Sequence, residues 1–324
     1  VSAPITVVVP VHDGAPFLRA TLDSLAAQSP RPRVVVVDDG SADQSREIAG
    51  RHPVVDLLLE QPNAGVAVAR NRGLAQVRSP WVAFLDQDDL WHPDRSAMLL
   101  DLADRTGRDV VGTSERLFAR SADRSELLRI GDSRSQLELA WVDDGDELAQ
   151  LRREEDPVRG GTGEVETLGA DRWLRAPGSW STSFLVRTDL ATAAGGFPLA
   201  YDAMDDHVFH YNVARLGGGA VRIDHPAFYY RVHPAARMNN SSVTTAFLAH
   251  LVEDRLGSPR RRAHYARSEF IDQLVDELPG SGVGPLERLA LTVLTTSPDR
   301  RLRRLARSTR LAIRRLAPRD RHRA

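Results

Sequence analysis

Val82-Ala83-Phe84-Leu85-Asp86-Gln87-Asp88-Asp89 is an apolar run that stops at three carboxylates within four residues. Such a run reads as a strand buried along its length and open to solvent at its C-terminal end, where open α/β sheets hold their ligands. Like charges crowded this closely repel, and a hard divalent cation relieves the repulsion. Mg²⁺ or Mn²⁺ held by one or two carboxylates usually brings phosphate oxygens with it. A DxD triplet alone is common at strand ends, so its weight depends on what precedes it.

Upstream, residues 5–9 form a β-branched run, followed by Pro10-Val11-His12-Asp13-Gly14 as a loop. A helix is expected from about Pro16, with Phe17, Leu18, Leu22 and Leu25 on one side. Residues 33–37 read as a second strand ending at Asp38-Asp39-Gly40-Ser41, residues 57–59 as a third and residues 81–85 as the fourth, with a helix over 67–76 between the last two. Strands alternating with helices predict an α/β chain built on one Rossmann-like, mixed or mainly parallel sheet flanked by helices. If these strands are parallel, His12, Asp13, Asp38, Asp39, Asp86 and Asp88 gather on one edge. Further on, 95–106 reads as helix, 109–113 as a short strand, 120–175 as irregular strands and loops, 181–186 as an alternating strand and 202–216 as a helix opening with acids. Residues 243–324 read as mostly helical.

Composition excludes several chemistries. The chain has no cysteine, so disulfides, thiolate metal sites and cysteine nucleophiles are ruled out. All 43 basic residues are arginine, which removes Schiff-base lysines. The first residues lack the charged-then-apolar layout of a secretion signal and no apolar stretch approaches the roughly 18 residues of a span, so a cytoplasmic protein is expected. The net charge of −1 hides an asymmetry: residues 300–324 carry 11 arginines against one acid, leaving 32 bases and 43 acids, a net of −11, in residues 1–299. An acidic body is a poor nucleic-acid binder, and no nucleic-acid partner is expected.

Residue types at the strand ends suggest roles. Asp39, beside Gly40 and Ser41, can accept from the N3–H of uracil or thymine, or serve as an Asx turn; Asp13 can reach base or ribose. Pro10 and His12 share the loop after the first strand. Asn63, before Ala64-Gly65, can bond a base or cap the next helix. Either Arg70 or Arg72 can meet phosphate. Asp88 is the first choice as metal ligand, with Asp86 binding ribose or the metal shell and Asp89 in support. Neither a Walker pattern nor a GxGxxG after the first strand is present. Asp202, Asp205 and Asp206 open the late helix, where a carboxylate either caps free N–H groups or faces the cleft.

The ordered set Val7-Val8-Val9-Pro10-Val11-His12-Asp13, Val35-Val36-Val37-Asp38-Asp39-Gly40-Ser41, Asn63-Ala64-Gly65 with Ala69-Arg70-Asn71 and Gly73, and Phe84-Leu85-Asp86-Gln87-Asp88-Asp89 resembles the inverting GT-A glycosyltransferases of family 2. It resumes at Gly195-Gly196-Phe197 and the acids near 205, covering roughly residues 5–235, with poor matching over 120–175. The resemblance implies a GT-A fold and a metal-dependent inverting transfer of one sugar from a nucleotide-diphosphate donor, UDP- or dTDP-sugar, to an acceptor hydroxyl. It implies Mg²⁺ or Mn²⁺ as cofactor. The family's Glu-Asp after Gly-Gly-Phe falls on Asp205-Asp206, which makes Asp206 the base candidate with Asp205 in place of the Glu. Its YR.H segment falls on Tyr230-Arg231-Val232-His233, so Arg231 is expected at the diphosphate and His233 at metal or phosphate. The Gln-x-x-Arg-Trp motif of processive members is missing, because Gly169 precedes Arg172-Trp173 where glutamine is needed. Alternatives are a sugar-phosphate nucleotidyltransferase, which should show a glycine- and basic-rich phosphate loop after the first strand, and a non-catalytic nucleotide-sugar-binding module.

The expected organisation is a catalytic domain over 1–240, divided into a nucleotide-binding half (1–115) and an acceptor-binding half (116–240), and a helical C-terminal appendage over 241–324. Trp173 and Trp180 are candidates to stack on a sugar, and His207 to tune its acidic neighbours. In the tail, Leu302, Leu305, Ala306, Thr309, Ile313 and Leu316 share one helical face, with Arg303, Arg307, Arg310 and Arg314 around the rest. Such a helix packs on the acidic body, joins a homo-oligomer, or lies on anionic lipid at the inner face of the membrane. The acceptor is expected to be a small molecule, a lipid-linked carrier or a glycan.

Overall fold

The computed structural model describes residues 3–130, 139–153, 163–168, 184–199, 205–217 and 219–235, all within the compact unit Val1–Asn239. The expectations for Trp173, Trp180, Asp202, the side chain of His207 and residues 241–324 with the basic tail lie outside the described residues.

Strands β1 (Ile5–Val11), β2 (Arg33–Asp39) and β3 (Val55–Gln61) pair in parallel, and β4 (Trp81–Phe84) lies parallel on the far side of β1. The chain winds outward from β1 to β3 and then returns across β1 to β4. The winding direction therefore reverses between β1 and β4, and loops leaving two such strands diverge to leave a crevice at their C-terminal ends. That crevice is where the sequence puts His12-Asp13 and Asp86–Asp89.

The valine runs do not alternate with polar residues because both faces of the sheet are covered. Val7, Val9, Val34 and Val36 pack in one cluster with Leu18, Leu22 and Leu25 of helix α1 (Ala15–Ala26). Val8, Val35 and Val37 pack in another with Ala67 and Ala69 of α3 (Val66–Leu74), while α2 (Ser45–Arg51) bridges β2 and β3. Helix α3 sits flush on β1: a Cβ on Gly73 would fall 2.3 Å from Val8 Cγ1. This close approach carries Arg70, one turn earlier, to the crevice. Pro10 is buried inside β1 and loses no ladder bond toward β4, whose pairing stops at Val8↔Phe84.

The remainder widens the sheet. After β5 (Leu90–Trp91) and α4 (Arg95–Thr106) comes β6 (Val110–Arg120), an 11-residue strand in place of the short one expected over 109–113. The segment expected to be irregular holds regular pieces: α5 (Arg124–Ile130), β7 (Ala140–Val142), α6 (Glu147–Arg153) and β8 (Val165–Leu168). The weak periodicity there reflects elements of seven residues or fewer, too short to display a face. β9 (Phe184–Arg187) runs antiparallel between β4 and β6, making the sheet mixed, and is followed by α7 (Thr188–Ala193) and α8 (Asp205–Leu216). β10 (Ala220–Arg231) runs parallel to β6 and ends beneath the acidic loop after β4.

Candidate active site

Four loops converge on the crevice, and most of their conspicuous residues hold one loop to another. Asp39, at the end of β2, is buried; its Oδ1 accepts from Gln61 Nε2 (2.8 Å) and the Ala64 N–H (2.8 Å), and its Oδ2 from the Gly65 N–H (2.9 Å). The loop after β3 is thus folded onto β2. Gly40 permits this approach, since it has φ +74° and a Cβ there would lie 2.7 Å from Asn63 N. His12 Nδ1 lies 2.9 Å from the Asp39 carbonyl oxygen, and Asn63 Nδ2 lies 3.1 Å from His12 Nε2. Both contacts are satisfied by the neutral tautomer with its proton on Nδ1. Asp13, at φ +48°, accepts at Oδ1 from the Ala42 (2.7 Å) and Asp43 (3.3 Å) N–H groups and so tethers the loop after β2.

Gln87, in the acidic stretch, clasps the first loop. Its Oε1 accepts from the His12 N–H (2.8 Å) and its Nε2 donates to the His12 carbonyl (3.0 Å). Asp86 lies beside Arg70, whose guanidinium donates to Asp86 Oδ1 (2.6 Å) and to Asp205 Oδ2 (2.8 Å). Of the two arginines considered for phosphate, Arg70 is thereby the one in the crevice; Arg72 donates back to the Glu60 carbonyl at 2.7 Å. Burial opposes the charge of Arg70, but Asp86, Asp205 and Asp206 overcome it and hold the guanidinium firmly protonated. Burial in turn pushes the Asp86 and Asp205 carboxyls above the usual range, with Arg70 pulling both back down.

Asp205 and Asp206 reach this place through an aromatic pack. Phe197 stacks on Phe209 of α8 at 4.2 Å and meets Phe84 of β4 edge-on at 4.6 Å. Asn71 fixes the turn before it, donating from Nδ2 to the Phe197 carbonyl and accepting at Oδ1 from the Phe197 N–H, both at 2.7 Å. Gly195 and Gly196, at φ +84° and +67°, supply the left-handed backbone of that turn. At the start of α8, Asp205 is sealed against Arg70 while Asp206 is only half-buried. Asp206 still lies close enough to act electrostatically on both Arg70 and Asp86.

On the other flank, His233 Nε2 lies 3.0 Å from Asp88 Oδ2, and the imidazole packs on Phe17 at 4.5 Å. Asp89 faces inward: its Oδ1 accepts from the Arg231 N–H (2.9 Å), and burial, then the charges of Asp88 and Asp86, push its carboxyl well above the usual range. Arg231 does not present its guanidinium to the crevice, contrary to the expectation at the diphosphate. Its side chain is fully buried, Nε donates to the Asp88 carbonyl (2.7 Å), and Nη1 and Nη2 make a bidentate pair with Glu147 (2.7 and 2.6 Å). Pro10, likewise, lies below the loop as part of β1. Glu147, Gln87, Asn71 and Phe17 are the contributors that sequence reasoning missed.

Asp88, 25% exposed and 3.0 Å from His233, and Asp86, 34% exposed, are the groups a divalent cation would use. Among the described residues no group of three or more His, Cys, Asp or Glu is arranged to hold a metal ion by itself. Such a donor set fits Mg²⁺ or Mn²⁺, which complete their shells with substrate phosphates and water, better than an ion held in an all-protein cage.

Residues 6–149 match the family model described as glycosyl transferase family 2. Over these residues, under half of the chain, the protein is similar to family 2 glycosyl transferases. Asp39, Arg70, Asp86, Asp88 and Glu147 fall inside the matched region, whereas Arg231, His233 and the Asp205-Asp206 pair lie beyond it. Glycosyltransferase GlyA of Streptococcus pneumoniae is 44% identical over 89 residues, covering 26% of this chain and 13% of that protein. The chain spans well under half the length of the curated relatives it matches. Residues 1–349 of S. aureus TarS in complex with UDP superpose with a TM-score of 0.62 at 18% identity, over 95% of this chain and 88% of that one. The mannosyltransferase PcManGT of Pyrobaculum calidifontis in complex with GDP-Man and Mn²⁺ gives a TM-score of 0.52 at 19% identity, over 97% and 86%. These two likenesses establish the GT-A fold for the described residues. No helix among the described residues is long and apolar enough to cross a membrane.

Proposed function

We propose that this protein is a metal-dependent inverting glycosyltransferase that moves one sugar from a UDP- or dTDP-sugar to an acceptor hydroxyl by direct displacement. The observation that carries the reading is the position of Arg70, whose one guanidinium spans Asp86 at the end of β4 and Asp205 at the start of α8. This bridge supports a reading in which the donor-side acids and Asp206, next in sequence to Asp205, serve one crevice. TarS with UDP and PcManGT with GDP-Man and Mn²⁺ share the fold and lend support for a nucleotide and a divalent ion.

In this reading Asp39 and the loop it organises receive the base, with His12, Asn63 and Asp13 at its rim. Asp88, Asp86 and His233 would hold Mg²⁺ or Mn²⁺, which would supply positive charge to offset that of the diphosphate. Asp206 accepts the proton of the acceptor hydroxyl as that oxygen attacks the anomeric carbon on the face opposite the diphosphate. The bond from that carbon to the diphosphate oxygen breaks and the electron pair leaves with the phosphate. Asp205 and Arg70 keep Asp206 oriented. The acceptor is a small molecule, a lipid-linked carrier or a glycan, and the arginine-rich residues 300–324 would favour an anionic membrane surface.

The test is a titration of the full chain with UDP, dTDP and GDP with and without Mn²⁺, followed by NMR assignment of the anomeric configuration of any transferred or hydrolysed sugar. Divalent-dependent binding of a pyrimidine nucleotide and an inverted product are the expected results. Retention of configuration, or binding indifferent to the ion, refutes the proposal.

A further inference from the structure

Glu147 stands outside every motif in the sequence and accepts three charged hydrogen bonds. Its Oε1 takes Arg231 Nη1 and Arg120 Nε, each at 2.7 Å, and its Oε2 takes Arg231 Nη2 at 2.6 Å. Arg120 in turn donates to the Pro16 carbonyl at 3.2 Å. Although burial works to raise it, the two guanidiniums hold the Glu147 carboxyl below its usual range. Removal from water makes a buried ion pair about neutral for stability compared with apolar side chains of the same volume, so stability alone gives little reason for one here.

What the pair fixes is the metal side of the crevice. With Nη1 and Nη2 held by Glu147, Arg231 is left with Nε aimed at the Asp88 carbonyl and its own N–H at Asp89 Oδ1. The guanidinium is also pressed between two rings, 4.6 Å from the Phe118 centroid and 5.0 Å from that of Phe17. Phe17 is the ring on which His233 packs. One carboxylate therefore sets the backbone of Asp88 and, through Arg231 and Phe17, the imidazole opposite it.

We infer that Glu147 is a positioning residue for the divalent cation, acting through Arg231 to hold Asp88 and His233 in register. The inference rests on the glycosyltransferase reading given above, and the experiment separates the two. Mn²⁺ retention by the full-length protein is measured by EPR with UDP, dTDP or GDP, choosing the nucleotide on which the unaltered protein retains the ion best. If the unaltered protein retains Mn²⁺ with none of them, the functional reading itself fails. Glu147→Gln preserves volume but places a donor against an arginine, and Glu147→Asp keeps the charge while shortening its reach. Both should fold by circular dichroism and weaken Mn²⁺ binding about tenfold or more, the scale for residues that orient metal ligands. Metal-free nucleotide affinity should be unchanged, and donor turnover should recover at saturating Mn²⁺. Folded variants with unaltered Mn²⁺ affinity overturn the inference. Failure of both to fold also overturns it, because Glu147 would then serve core stability.

Discussion

Replacing Arg70 by methionine removes a cation shared by Asp86 and Asp205 while keeping a stem of similar length against Phe197, over which the guanidinium lies at 5.2 Å. Two unit charges about 4 Å apart attract by about 4 kcal/mol at an effective dielectric of about 20. Desolvation offsets much of that, and breaking a buried pair from one side typically costs about 3–5 kcal/mol. The contacts are unequal. Asp205 is 4% exposed and cannot turn to water, whereas Asp86, 34% exposed, regains part of its hydration, so most of the penalty falls on Asp205. A carboxyl whose folded pKa lies above its unfolded value binds more protons when folded, so it lowers stability as pH rises. Both groups are already pushed up by burial, and losing Arg70 pushes them further from the ordinary 3.8. The variant should therefore lose about 3–5 kcal/mol near pH 8, and the gap to the unaltered protein should narrow steadily toward pH 4. Urea denaturation at a series of pH values measures this. A gap independent of pH would show that packing on Phe197, and not the two carboxylates, is what Arg70 provides.

Asp206→Asn should lower transfer about 10²- to 10⁴-fold while sparing donor affinity, and unchanged turnover would remove Asp206 as base. Chelation with EDTA should weaken nucleotide binding by the unaltered protein, and Asp88→Asn should bind nucleotide equally with and without Mn²⁺; calorimetry reads both. Asn71→Leu strips partners from the Phe197 N–H and carbonyl, at about 1–3 kcal/mol for each unpaired group, and should reduce turnover more than donor affinity, as a thermal melt and a kinetic series would reveal. Glu115 is pushed up to about 7 chiefly by burial, against the pull of Arg222 and Arg95. The folded state therefore binds its proton more tightly, stability should fall as pH rises from about 5 through 7, and Glu115→Gln should flatten that slope.

Legibility in the sequence tracks the physics of each element. The valine runs of β1 and β2 announce strands covered on both faces, and the acids at their ends announce the crevice, because both signals are local. Polar Ser114, Glu115 and Arg116 interrupt the apolar start of β6 and make it read as ending at Thr113, yet pairing with β10 carries it to Phe118 and pairing with β7 to Arg120. The neighbours Tyr230 and His233 fit a motif that points Arg231 to phosphate. Its partner Glu147 lies 84 residues away on a seven-residue helix, and no local pattern links the two. Asn71 and Gln87 stand inside recognised stretches, but their side chains act on backbone atoms of other loops, which a linear reading does not pair.

The crevice also answers how an edge bearing so many acids stays folded before any ligand arrives. Asp39 is satisfied by two backbone N–H groups and Gln61, Asp13 by the loop after β2 and Asp205 by Arg70, while Asp89 has one oxygen on the N–H of Arg231 and is driven toward its neutral form by burial. Hydrogen bonds from fixed donors stabilise a carboxylate without adding a mobile countercharge. Among the described residues, Asp86 has one oxygen on Arg70 and the Asp88 carboxylate has an imidazole beside it. The uncompensated negative charge is thus concentrated at Asp88 and the outer side of Asp86, between the loop that Asp39 holds and the helix that begins with Asp205. Under the proposed function, a cation drawn to that point would lie between the nucleotide and the half-buried Asp206, which is the order of parts that a displacement at a sugar carbon requires.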